Sequence, residues 1–138
     1  MKSRVKILLV DENGFERRAI RGFLEARADA DVVAEAEDAG EALAALLDTP
    51  PDMVIVDLPY DLEAGLSLVR TIRSNNPQMP VMIIASNRER AVAEHAMDAG
   101  AAGYMLLHEI ANSLPAAVYQ LQHGGQYVSE ELTLTPPG

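Results

Sequence analysis

The stretch VKILLVDEN, Val5 to Asn13, runs from a nearly unbroken apolar segment into two adjacent acids, Asp11 and Glu12. A segment apolar on successive residues is buried on both faces, as in a central strand of a parallel sheet. Its two acids therefore stand where a buried strand emerges. MVIVD, Met53 to Asp57, repeats the device.

Outward from these two runs the same pattern recurs. Apolar segments at Val5–Val10, Val32–Ala36, Met53–Val56, Val81–Ala85 and Gly103–Leu106 alternate with segments of helical period. That alternation predicts an α/β fold, a doubly wound five-stranded parallel sheet with five helices. The first helix, Gly14 to Ala26, places Phe15, Ala19, Phe23 and Ala26 on one stripe, with Arg17, Arg18 and Arg21 elsewhere on its surface. Asp38 and Glu41 are spaced as a capping box for a helix that Pro50-Pro51 stops. Ala64 to Asn75 turns Leu66, Val69 and Ile72 inward and leaves Arg70 and Arg73 solvated. Ser86 and Glu89 repeat the capping-box spacing for a helix running to Asp98. Pro115 belongs in a first helical turn, so the last helix is expected to begin near Asn112 and to end at Gly124-Gly125. This defines one domain over residues 1–125. Residues 126–138, with a short apolar touch at Tyr127-Val128, read as an extension or linker.

Composition narrows the function classes. A chain of 138 residues, 49% hydrophobic, can bury a core without staples. It has no cysteine, which excludes disulfides and cysteine-ligated metals and fits a reducing, cytoplasmic setting. The first apolar run is short and ends in acids, unlike a signal peptide or a membrane span. A formal charge of −10 argues against binding phosphate backbones and for a cation site.

In a sheet of strand order 2-1-3-4-5, ligands bind beyond the carboxyl ends of strands 1 and 3, where the order reverses. Asp11, Glu12 and Asp57 should meet there. Asp11 alone is explained equally well as a cap of the first helix, but three acids at one switch point imply a neutralising cation. Hard oxygen ligands favour Mg²⁺.

ILLVDEN, the VIVDLP strand end, the spacing from Asp57 to Gly65-Leu66, AGAAGYMLL and HGGQYVSEEL together resemble the receiver domain of two-component response regulators. The resemblance spans nearly the whole chain. The GAAGY and Gly-Gly-x-Tyr-x-Ser segments look most like receivers that precede a LuxR-type DNA-binding domain, and LTLTPPG ends where such regulators continue. The resemblance implies a flavodoxin-like, CheY-like fold and a signalling module rather than an enzyme. By position, Asp57 is the phosphoacceptor. Asp11, Glu12, Asp57 and the backbone carbonyl of Pro59 hold Mg²⁺. A histidine kinase donates the phosphoryl group, an output domain receives the signal, and helix 4, strand 5 and helix 5 form the usual dimer face. Ala91, Val92, Met97, Leu106 and Leu107 are candidate apolar contacts on it.

The family's remaining site residues are replaced. Its Thr or Ser at the end of strand 4 becomes Ala85, with Ser86 next in line, and its Lys at the end of strand 5 becomes Leu107. Tyr104 matches the switch aromatic, for which a strand-edge position with its hydroxyl in water is an equally good reading. His108 is a candidate pH-dependent substitute for the Lys, and Tyr60-Asp61 adds a further acid. Two functions follow: an atypical receiver that works through protein contacts, or a conventional phosphoacceptor. Flavin, cobalamin and phosphatase sites of similar folds lack their sequence marks here.

Overall fold

The computed structural model describes residues 4–58 and 62–133. Its strands β1 (Val5–Val10), β2 (Ala30–Ala36), β3 (Met53–Asp57), β4 (Val81–Ala85) and β5 (Gly103–Leu106) form one parallel sheet in the expected order 2-1-3-4-5. A sixth strand, β6 (Tyr127–Val128), extends it by pairing Gly103 with Tyr127 and Tyr104 with Val128.

The period of two along each strand divides the core between the sheet's two faces. Leu8, Val10, Val54, Val56, Val81, Ile83, Tyr104 and Leu106 are buried on one. They pack against helices α2 (Ala39–Asp48), α3 (Leu62–Asn75) and α4 (Arg90–Asp98). On the other, Ile7, Leu9, Met53, Ile55, Met82, Ile84 and Met105 meet helices α1 (Gly14–Arg27) and α5 (Ile110–Gln122). Both faces are covered, which is why the strands read as continuous apolar runs. Among the described residues no helix is long and apolar enough to cross a membrane.

Several local expectations are corrected. The inward stripe of α1 is Ile20 and Leu24, flanked by Phe23, which packs half-buried against the same core as expected, while Phe15 is 78% exposed and Ala19 and Ala26 are exposed. Asp38 caps its helix, accepting the Glu41 amide at 2.8 Å, but Glu41 reaches past the Asp38 amide to accept that of Glu37 at 2.9 Å, so the box is only half formed. Ser86, however, does not cap α4. Asn87 Oδ1 takes the Glu89 amide at 2.8 Å, and Glu89 makes no side-chain cap. Arg73 is not merely solvated, since it donates to the carbonyls of Pro77 and Met79 at 2.5 and 2.9 Å and so closes the turn after α3. Its stem lies against Gly100 (φ 116°), where a Cβ would stand 2.8 Å from Arg73 Cγ. Pro115 lies inside α5, which starts at Ile110 after a 3-10 turn over Leu107–Glu109, and there forgoes the bond to the Ala111 carbonyl.

Residues 126–133 also belong to the packed fold. After β6, Ser129 is fully buried, donating its amide to the Tyr104 carbonyl at 3.0 Å and accepting the Leu106 amide on Oγ at 2.8 Å. Its hydroxyl donates to Glu109. A final short helix, α6 (Glu130–Thr133), buries Leu132 in the core and pairs Glu131 with Arg88 and with His108.

Candidate functional site

β1 and β3 are neighbours with Val10 beside Val56, so the residues that follow, Asp11 and Asp57, emerge side by side. Asp11 is held by its backbone: its amide donates to Ala36 at 2.9 Å and its carbonyl accepts from Arg17 Nη1 at 2.6 Å. The side chain is 1% exposed; Oδ1 accepts the Asn13 amide at 2.8 Å, while Oδ2 has no partner among the described residues. Asp11 is therefore not the cap of α1. Asn13 is, accepting the Glu16 amide at 3.0 Å.

That cap sets Glu16 in the first turn of α1, facing the strand ends. One oxygen each from Asp11, Glu16 and Asp57 lies within 4.8 Å of the others, and Glu16 Oε1 is buried without a partner among the described residues. Glu12 is exposed at the cleft mouth and is not in this group. Pro59, Tyr60 and Asp61 lie outside the described residues.

Burial, reinforced by the crowding of acids, governs the electrostatics. Burial, a hydrogen bond with Glu16 and the charge of Asp11 push the Asp57 carboxyl up to about 9. Burial also raises Asp11, with Glu16 adding to it and the Asn13 amide opposing. The basic cluster of α1 gives little relief, because Arg17 binds Glu35 at 2.8 Å and Glu37 at 3.6 Å, and Arg21 binds Glu35 at 2.5 Å. Burial pushes the Glu35 carboxyl up, but these two guanidiniums outweigh it and hold it below its ordinary value.

The acids open into a cleft of about 480 Å³, lined on the far side by Ala85, Ser86, Asn87 and Leu107. Ala85 pairs with Leu106, so Ser86 and Leu107 are the next residues along and face the cleft together. Leu107 also packs on the α1/α5 core. Tyr104 does not point to water: it is fully buried, donating its hydroxyl to the Asn87 carbonyl at 2.8 Å. Burial, with the charge of Glu89, pushes that phenol up to about 12. His108 is outside the acid cleft, with Nε2 2.9 Å from Glu131 Oε1, and so is not placed to replace a lysine.

The model of the response regulator receiver domain family matches residues 7–118 of this chain. The chain belongs to the response regulator receiver family. A two-component response regulator of the LuxR family from Aurantimonas is 32% identical, with a TM-score of 0.88 over 95% of this chain and 94% of that one. The transcriptional regulatory protein LnrK of Bacillus subtilis is 28% identical over 94% of this chain, and the response regulator VraR of Staphylococcus aureus 29% over 93%. The receiver spans 59% and 61% of those two relatives' lengths.

In this receiver Asp11 and Asp57 meet at the strand ends and Ala85 and Leu107 line the same cleft, while Glu12 stands at its mouth outside the cluster and Tyr104 is buried on β5. Glu16 was missed. Its signal was the Asn13-Gly14-Phe15-Glu16 spacing, an N-cap followed by an acid in the first turn, overshadowed by the acids beside it. The donor set is all hard oxygen, with two buried acceptors lacking donors, and it fits a divalent cation such as Mg²⁺.

Proposed function

We propose that this receiver signals from the cytoplasm through protein–protein contacts, with weak or no phosphorylation of Asp57. The observation that carries this is the pair Ala85 and Leu107 on the cleft wall opposite the acids. Phosphoryl transfer to a carboxylate is catalysed by positioning and by clamping the developing charge on the phosphoryl oxygens. Neither side chain donates a hydrogen bond or carries charge. Glu16 adds a negative charge beside the acceptor. Mg²⁺ held by Asp11, Asp57 and a third acid, with the Pro59 carbonyl, supplies positive charge on one side of such a site. Nothing described on the opposite wall supplies it there.

Tyr104 supports the same reading. The receiver resemblance links an inward aromatic to a hydroxyl residue drawn toward the phosphoryl group, yet here Tyr104 is inward with Ala85 at the hydroxyl position. Its position is fixed by Asn87 and by pairing with Val128, independently of Asp57.

The partner is a protein, a histidine kinase or an output domain, or a second copy meeting this one through α4, β5 and α5; this chain itself does not bind nucleic acid. On that face Ala91 is exposed and Met97 and Leu107 are half-buried, whereas Val92 and Leu106 belong to the core. The conventional phosphoacceptor is the second reading, favoured by one observation. Ser86 is free of the α4 cap and lines the cleft, one residue beyond the expected hydroxyl position.

Incubation with Mg²⁺ and beryllofluoride or a small phosphodonor, followed by intact mass and amide spectra with Asp57→Asn as control, separates the two. No Asp57-dependent change is expected. A stoichiometric one refutes the atypical reading.

A further inference from the structure

We propose that Glu16, and not Glu12, is the third carboxylate ligand of a divalent cation bound between Asp11 and Asp57. Three independent features converge on it. An oxygen of Glu16 lies within 4.8 Å of oxygens from both aspartates, an arrangement that excludes Glu12. Asp11, 99% hidden from solvent, aims into the same space an Oδ2 that has no partner among the described residues, and Glu16 contributes a buried Oε1 that likewise has none among them. Buried acceptors without donors are costly, and in native proteins they mark a missing water or ion.

The third feature is the anchoring of α1. The Asn13 cap fixes the Glu16 backbone, and Arg17, one residue on, ties the helix to the Asp11 carbonyl. Glu16 therefore projects toward the strand ends from a rigid first turn, not from the loop that carries Glu12. Three carboxylates also suit the charge: once all are ionised around the ion they sum to −3, which a divalent cation reduces to −1. Phosphoryl oxygens are anionic too, so a ligand set already closed by Glu16 disfavours their entry. The inference concerns ligands alone and does not rest on whether Asp57 accepts a phosphoryl group.

Mn²⁺ titrations followed by water-proton relaxation, with Mg²⁺ competition, test it on wild type, Glu16→Gln and Glu12→Gln. Glu16→Gln is expected to weaken Mn²⁺ binding by about tenfold or more, and Glu12→Gln by less than about threefold. Folding is not at risk, since Glu16→Gln removes a like charge, and amide spectra verify it. Paramagnetic broadening in wild type should be strongest around residues 11, 16 and 57. A loss in Glu12→Gln equal to or larger than that in Glu16→Gln, or no Mn²⁺ binding to wild type at millimolar concentration, overturns the proposal. Failure of beryllofluoride to react leaves this result unaffected, so the two readings fail separately.

Discussion

Asp57→Asn should stabilise the protein at neutral pH when a chelator is present. The Asp57 carboxyl ionises at 3.8 in the unfolded chain and at about 9 in the fold. Between those values the native state binds the extra proton, so stability falls as pH rises through that window and levels off above it. At pH 7 roughly three pH units of the window have been crossed, a ceiling of about 4 kcal/mol at 1.36 kcal/mol per unit. Asp57 is only half-buried at an open cleft, and solvent screening brings the expected effect to about 1–2 kcal/mol. Asparagine keeps the shape and cannot ionise. For a chain of this size the gain is roughly 4–7 °C in Tm. Thermal unfolding in EDTA from pH 5.5 to 8 should show wild type losing stability while the variant changes less, and the gap should narrow at pH 5.5. Millimolar Mg²⁺ should raise the Tm of wild type more than that of the variant. A variant no more stable than wild type at pH 7, or a gap independent of pH, refutes the electrostatic account of the acid cluster.

Ser129→Ala removes the acceptor of the buried Leu106 amide and should cost about 1–3 kcal/mol in denaturant unfolding, where a mere extension would cost nothing. Leu132→Ala, at a side chain 3% exposed, should cost about 2–5 kcal/mol, and truncation after Gly125 should cost at least as much. Leu107→Lys combined with Ala85→Thr should create an Asp57-dependent beryllofluoride response by amide spectra; a double variant that folds and stays silent counts against the missing clamp as the cause. Tyr104→Phe loses one buried hydrogen bond, to the Asn87 carbonyl, and should lower stability by about 0.5–1.5 kcal/mol.

The parts of this fold that the sequence makes legible are those decided locally. β1, β4 and β5 are bounded in the structure as they are in the sequence, because burial on both faces leaves no polar residue within most of each run. The stripe of α1 is harder, since Phe15-Ala19-Phe23 and Ile20-Leu24 both have helical spacing. The sheet decides among them, burying the branched pair, keeping Phe23 half-buried beside it and leaving Phe15 outside. β6 is two residues long and carries no periodic signal. It exists because Ser129 and Leu132 find partners on β5, α4 and the 3-10 turn, contacts at least twenty residues away in sequence.

The site divides in the same way. A strand that stops at an acid places that acid, so Asp11 and Asp57 follow from the runs that precede them. What surrounds them depends on the angle at which α1 leaves the strand end, and that angle is set by the Asn13 cap and by Arg17 reaching back to Asp11. Those two contacts bring Glu16 over the cleft and leave Glu12 outside. The helix's arginines relieve the acids only in part, because Glu35, on β2, pairs with both Arg17 and Arg21, and Arg17 reaches the Asp11 carbonyl rather than its carboxylate. The acid cluster, its nearest guanidiniums paired with Glu35, faces a wall of Ala85 and Leu107 that offers neither charge nor a side-chain hydrogen-bond donor, and the proposed mode of signalling rests on that contrast. Tyr104 is placed by contacts on the β5 side, the Asn87 carbonyl and the pairing with Val128, neither of which involves Asp57.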